Sequence, residues 1–370
     1  MIFLKKAELS HFRNYNCLSL DFSSPINIFV GDNGQGKSSF LEALYCALRG
    51  KSFHSFVSSQ FIQKDRESSK VCLTLREKEG CSKIESSFFN SNSRLKRELV
   101  YCGKKVKADF LLEKFPCFVF TETSLKCIRQ GPSERRNFIE GLFSFPWQNR
   151  AKSSFEKALG QKKQLLKNYK KGLLQEQDLL RVLKALNEKF LDASHLLVQA
   201  RLAILNRLYS ALQETALHFF KEPIPFLDFC YLTEEDKSLR RESGILSVLK
   251  EELDKKTKQE ILAGMPLSGP HRHEIRFLFK GEDSRTFCSK GQQRSYVLSL
   301  LLSHVQFFPK ALLFLDDVLL ELDETIQKKF LKFLEKKHCQ IFLTSCKMTS
   351  FKTESMSFFN VKEGQIEKLQ

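Results

Sequence analysis

An α/β fold with a parallel sheet, interrupted by a mainly helical lobe, is predicted by three stretches of the sequence. The first, INIFVGDNGQGKSSFLEALYCAL, sets a β-rich run at Ile26 to Val30 before a glycine-rich loop and an apolar-periodic helix from about Ser39. The second, KALLFLDDVLLELDE, contains Ala311 to Leu315, the all-apolar run of a strand buried on both faces, and it ends in two aspartates. The third runs from Leu173 to Glu222, roughly 50 residues without Gly or Pro and with leucines at helical spacing.

The glycine-rich loop carries chemistry. Gly31, Asp32, Asn33, Gly34, Gln35, Gly36, Lys37 and Ser38 match GxxxxGK[ST], and the strand before and helix after supply the context that this motif needs. Its glycines let the backbone curl so that N–H groups point at phosphate oxygens, and the helix N-terminus adds a favourable dipole. In that arrangement Lys37 reaches the β- and γ-phosphates and Ser38 ligates Mg²⁺.

A phosphate loop needs a carboxylate partner for the metal, and the aspartate pair follows about 280 residues later. Carboxylates at the C-terminal end of a parallel strand face the crevice where ligands bind in open α/β sheets. Asp316 is therefore expected beside Mg²⁺, and Asp317 is expected to orient or deprotonate the attacking water. The guanine-reading NKxD motif is absent from the sequence, so the nucleotide expected is ATP.

Composition sets the partners. The 370 residues suffice for two lobes. A net charge of +17 favours a polyanion, and nucleic acid is the commonest one. The basic residues are spread along the chain (RLKREL, GKKVK, QKKQLLKNYKK, KKTKQ), so no single basic face can be read. Eleven cysteines, an odd count without a CxxC pair, fit reduced thiols better than disulfides or zinc. The 35 phenylalanines, against one tryptophan, are expected in the core. No apolar run approaches the roughly 18–20 residues of a membrane span, and MIFLKKAELS does not read as a signal peptide. A cytoplasmic protein without a membrane partner is expected.

Residues 1–118 and 262–370 are expected to form the nucleotide-binding lobe, and 119–261 a mainly helical lobe leading back towards it. LLRVLKALNEKFL and ARLAILNRLYSAL predict two or three packed helices, because no strict heptad persists. Arg135 and Arg136 in GPSERR point about 100° apart on a helix, with Glu140 in reach as a pairing partner. SKGQQRS, Ser289 to Ser295, is a small polar stretch that runs straight into the apolar YVLSLLLSHVQFF.

HFRNY, GDNGQGKSSFLEALY, GKSFH, GPSERRNFIE, SGPHRHE, SKGQQRS, LLFLDDVLLELD and IFLTS stand in an order that resembles the bacterial RecF family, over nearly the whole chain and most weakly through its helical middle. RecF proteins are DNA-repair ATPases of the ABC/SMC/Rad50 type. The resemblance implies an ABC-type ATPase head without a long coiled coil, an ATP-driven homodimer on double-stranded DNA near gaps and single-strand junctions, and slow ATP hydrolysis. It implies work with RecR and RecO, through which RecA is loaded, and a place on the bacterial nucleoid.

By the same resemblance Arg13 lies near the nucleotide, and Ser289, Gly291 and Gln292 form the signature loop that contacts the partner's ATP. Asp323 becomes the dimer-contacting D-loop residue, and Thr344 and Ser345 stand where many ABC ATPases place a switch histidine. This chain departs from the family at Ser38-Ser39-Phe40, which keeps the hydroxyl, and at His54. Thr121-Glu122-Thr123 replaces another family motif, which leaves the γ-phosphate-sensing glutamine unassigned, and His273-Glu274 ends the GPHR segment. Asp317 replaces the longer glutamate of faster ABC ATPases, and such a displaced base predicts slow turnover.

Overall fold

A computed structural model describes residues 2–53, 61–77, 80–91, 94–218, 227–233, 238–239, 244–320, 322, 324–349 and 351–369. Two compact units divide the chain: Met1–Leu125 with Glu214–Pro223 and Lys290–Gln370, and Lys126–Gln213 with Ile224–Ser289.

In the first unit a six-stranded sheet runs in the order Gln365–Lys368, Met356–Lys362, Ile26–Val30, Gln340–Ser345, Leu312–Leu315, Cys117–Phe120. All neighbours are parallel except the Gln365–Lys368 edge strand, which closes a hairpin. The predicted strands at Ile26 and Leu312 are both present, and Gln340–Ser345 lies between them. Its residues pair Leu343 with Ile28 on one side and with Leu315 on the other. Leu312 to Leu315 is wholly buried, as its apolar run requires. A second sheet is antiparallel, ordered Tyr15–Asp21, Phe3–Phe12, Ser68–Glu77, Gly80–Ser91, Arg94–Tyr101, Lys104–Lys105.

The helix Lys37–Arg49 packs its apolar residues into a core built largely from phenylalanine. Phe29 lies 4.9 Å from Phe40 and stacks on Phe359 at 5.0 Å, while Phe22 meets Phe342 edge-on at 5.2 Å. Such pairs add about 0.5–1.5 kcal/mol each beyond their area burial. All eleven cysteines are free thiols, and six are buried.

The second unit carries the helices Pro132–Gly141, Pro146–Lys170, Glu176–Ala216 (which runs on into the first unit's segment) and Ile245–Ala263. Where two or three helices were expected from Leu173 onwards, one helix of 41 residues forms. Nothing in its sequence breaks it, because no residue lacks an N–H or pays a glycine's entropy. The unit division also differs from 1–118/262–370 and 119–261. Glu274–Phe279 pairs antiparallel with Leu227–Leu232 along its length, which draws residues 262–289 into the helical unit. Cys117–Phe120 instead joins the parallel sheet, so the first unit extends to Leu125.

GPSERR and GPHRHE meet inside this second unit. Arg135 grips Glu274 with two N–H groups, at 2.9 and 3.0 Å, and Arg136 donates to the His273 carbonyl at 2.6 Å. Glu140, expected to pair with one of these arginines, is instead held by Arg201 at 2.6 Å and Lys152 at 2.8 Å. Arg201 is buried and also donates to the Pro270 carbonyl, so a distant helix outcompetes the local i,i+4 pairing.

Candidate nucleotide site

The glycine-rich loop is shaped by neighbours that the motif does not include. Gly36 holds φ at 115°, in the left-handed region, and a Cβ there would collide with the Asn14 amide and crowd the Tyr15 hydroxyl. Gly31 is constrained by space, since a Cβ would strike the Val361 carbonyl. Tyr15, buried, donates its hydroxyl proton to the Gly36 carbonyl at 2.9 Å. On the outer side Gly364 N–H donates to the Gln35 carbonyl at 3.1 Å, and Glu363 N–H to Gln35 Oε1 at 2.7 Å. HFRNY and the C-terminal hairpin therefore clamp the loop from two directions.

Lys37 opens the helix and is buried. Its ammonium donates to the carbonyls of Gly31 at 2.7 Å and Asp32 at 2.9 Å, which curls the loop over the lysine. Asp32, Asn33 and Gly34 remain exposed. A helix N-terminus with exposed loop amides and a buried ammonium is an anion site by construction.

The parallel sheet brings the carboxylates to this loop. Ser38 Oγ donates to Asp316 Oδ1 at 2.8 Å, and Thr344 Oγ1 donates to the same oxygen at 2.8 Å. Thr344 in turn accepts the Asp317 N–H at 2.8 Å. One hydroxyl on the intervening strand thus fixes both aspartates. Burial pushes the Asp316 carboxyl above the usual range, against the two hydroxyl donors that favour its charged form. Asp317 takes φ 47°, a left-handed backbone for a non-glycine residue, and its carbonyl accepts from Arg294 Nη2 at 2.9 Å.

Among the described residues no group of three or more His, Cys, Asp or Glu side chains gathers as a metal cage. A hydroxyl beside one carboxylate oxygen suits Mg²⁺, which takes few protein ligands and completes its shell with phosphate and water oxygens. Ser38 and Asp316 fit that role.

The remaining predicted residues lie as follows. Arg13, also at positive φ, pairs with buried Glu42 at 2.5 Å, one turn beyond Ser38 on the loop's helix. Ser345 turns its hydroxyl to the Lys347 carbonyl at 2.6 Å, while its own carbonyl accepts the Gly31 N–H. Ser289 is exposed and immediately precedes the helix Lys290–Val305, whose first turn holds half-buried Gly291 and Gln292. The helix is buried from Gln293 onwards. Asp323 lies outside the described residues. Sequence reasoning missed Tyr15, Glu42, Arg294 and Cys346. Tyr15, Glu42 and Arg294 stood inside quoted motifs, but only the fold shows what they hold.

Comparison with known proteins identifies the family and the fold. Residues 3–367 match the family described as RecF/RecN/SMC N terminal domain. The DNA replication and repair protein RecF of Clostridium acetobutylicum is 30% identical over 345 residues, 90% of either chain. The chain belongs to the RecF family. The RecF of Macrococcus caseolyticus is 29% identical across 98% of this chain and 99% of its own. Among solved structures, the recombination mediator protein RecF with ATP, in the RecFOR pathway, superposes with a TM-score of 0.86 at 27% identity, covering 100% of this chain and 98% of that one. An Smc head bound to the C-winged helix domain of ScpA shares the fold alone, with a TM-score of 0.58 at 13% identity. This RecF-family chain thus has the ABC-type ATPase head expected from its motifs.

Proposed function

We propose that this RecF-family protein is an ATP-dependent DNA-binding switch of recombinational repair. The observation that supports it most is the single Asp316 oxygen shared by Ser38 of the phosphate loop and Thr344 of the middle strand, with Asp317 anchored to the same threonine. ATP binds with its phosphates along Gly31 to Lys37, and Ser38 and Asp316 would hold Mg²⁺, which would supply charge neutralisation at the phosphates. Asp317 orients the attacking water and accepts its proton. A carboxylate one methylene shorter than glutamate makes this step slow, so hydrolysis times the bound state.

Ser289, Gly291 and Gln292 stand at a helix start, with Ser289 exposed, and so suit the γ-phosphate of a second copy's ATP. The dimer closes on double-stranded DNA near single-strand gaps, drawn by the chain's +17 charge. RecR and RecO are its partners there, and RecA loading is the outcome. No helix among the described residues is long and apolar enough to cross a membrane. Action on cytoplasmic, nucleoid-bound DNA belongs to the same proposal.

Light scattering with ATP·Mg²⁺, for wild type and Ser289→Arg, with and without duplex DNA, tests the reading. The mass should double for wild type only. An unchanged monomer under every condition would sink the ATP-driven dimer.

A further inference from the structure

Strand Gln340–Ser345 ends between the phosphate-loop strand and the aspartate strand, and the next residue is Cys346. Its Sγ lies 2.9 Å from Asn33 Oδ1, 3.8 Å from Lys37 Nζ and 3.8 Å from Asp317 Oδ1. Unlike the six buried cysteines it is half-exposed. The other side chains at this strand end are engaged elsewhere, Thr344 with the two aspartates and Ser345 with Lys347. The group that faces the loop is therefore the thiol.

A thiol carries one proton and a weakly accepting sulfur. The Cys346 S–H donates to Asn33 Oδ1 or to the Asp317 carboxylate, one at a time, while the Lys37 ammonium donates to the sulfur. Burial and the charge of Asp317 push the thiol pKa up, so the proton stays on sulfur at neutral pH. Each of these bonds is weak beside a charge-assisted bond to phosphate, so the set yields readily when an anion enters.

We propose that Cys346 is a positioning residue for the terminal phosphate: its thiol holds Asn33 and Asp317 around that seat and is covered by a triphosphate but not by a diphosphate. This rests on the reading of Lys37 as the phosphate lysine. The seat is bounded by one residue of the loop, the loop's lysine and the water-orienting aspartate, three groups drawn together at one sulfur. Neither Thr344 nor Ser345, the positions expected to act as the switch, has this set of neighbours.

Two readouts on the full chain test it. N-ethylmaleimide adds across its double bond to the Cys346 sulfur without a leaving group, and fragment masses separate Cys346 from buried Cys339. AMP-PNP·Mg²⁺ should slow this alkylation by about tenfold or more and ADP·Mg²⁺ by less than about twofold. Lys37→Ala also removes the ammonium beside the sulfur and so slows the nucleotide-free reaction, but its alkylation should run at the same rate with and without AMP-PNP·Mg²⁺. In steady-state kinetics Cys346→Val should lower kcat about tenfold with KM for ATP within about threefold, and Cys346→Ser should restore kcat to within about twofold of wild type. Equal protection by ADP, or a wild-type kcat in Cys346→Val, overturns the assignment. Calorimetry separates the two levels of inference. AMP-PNP binding without protection removes only the role of Cys346, whereas no binding to the wild-type chain removes the nucleotide reading and this role with it.

Discussion

Arg294, in the last third of SKGQQRS, donates from Nη2 to the backbone carbonyl of Asp317 at 2.9 Å. The guanidinium is buried, lies 5.7 Å from the Phe120 ring centre, and has its Nη2 3.5 Å from Glu122. The acceptor is a residue held at positive φ. An arginine on the helix Lys290–Val305 therefore braces the backbone of Asp317, the residue proposed to orient the attacking water.

Arg294→Lys keeps the charge but loses the planar fork that spans Phe120, Glu122 and the Asp317 carbonyl. It should lower kcat about tenfold with KM for ATP within about threefold if, as proposed, Asp317 orients the water, because the contact is to that residue and not to the phosphate loop. Steady-state ATPase assays and fluorescent-nucleotide titrations separate the two. A parallel loss of nucleotide affinity would mean that Arg294 merely holds the loop together.

Asp316 and Asp317 should separate by chemistry. Asp317→Asn should reduce kcat by roughly 10²–10⁴-fold while AMP-PNP still binds, and Asp316→Asn should weaken Mg²⁺-dependent binding itself. The raised pKa of Asp316 gives this a pH signature. The native state holds this proton more tightly than the unfolded chain does, so protonation at Asp316 favours the fold as pH falls through its folded pKa. If Asp316 holds Mg²⁺ as proposed, metal affinity moves the other way, because only the carboxylate form would ligate. Calorimetric Mg²⁺·nucleotide affinity should therefore begin to fall above the ordinary aspartate range, without a matching loss at this site in thermal melts.

The parts that were legible in the sequence are those that local pattern determines. A strand, a phosphate loop and a helix must be contiguous, so Ile26 to Ser38 reads directly, and an apolar run ending in Asp316-Asp317 has few other uses. The illegible parts are those in which a long-range partner decides. Glu140 lies four residues from Arg136, yet Arg201 holds it from 61 positions away. Tyr15 looked like a family marker and proves to be a clamp on Gly36. Cys346 read as one reduced thiol among eleven, because nothing in FLTSCK says that strand order will set it beside Asn33 and Asp317. The 41-residue helix was divided too early, since leucine spacing gives helical phase but not where a helix stops.

The two motif arginines should differ in cost. Arg135→Ala strips two donors from Glu274, a partly buried carboxylate that among the described residues keeps only the Ile275 N–H, loses the bond to the Gln130 carbonyl as well, and should destabilise the protein by about 2–3 kcal/mol. Arg136→Ala loses one bond to the His273 carbonyl and should cost about 1 kcal/mol. Denaturant titrations of the two variants, with the Arg135/Glu274 double-mutant cycle, measure this. A coupling energy near zero would show that the fork contributes nothing.

A buried ion pair within the helical unit gives the sharpest stability prediction. Lys162 and Glu260 both have fully buried side chains, and Nζ lies 2.7 Å from Oε2. Burial pulls the lysine pKa down and the glutamate pulls it back up. The other carboxylate oxygen of Glu260 accepts from Leu267 N–H at 2.8 Å, Ser268 N–H at 3.1 Å and the Ser268 hydroxyl at 2.9 Å, so the carboxylate organises the turn that leads to GPHR. Lys162 also stands 4.7 Å from the Phe190 ring centre. Removing the cation alone leaves a buried charge, so Lys162→Met should cost about 3–5 kcal/mol. Lys162→Met with Glu260→Gln keeps the amide oxygen for the turn and removes the stranded charge, and it should recover most of that loss. Glu260→Ala loses the turn as well and should remain destabilised whatever occupies position 162. Thermal melts of these variants decide it: if the double variant is no more stable than Lys162→Met, the stranded charge is not the source of the cost.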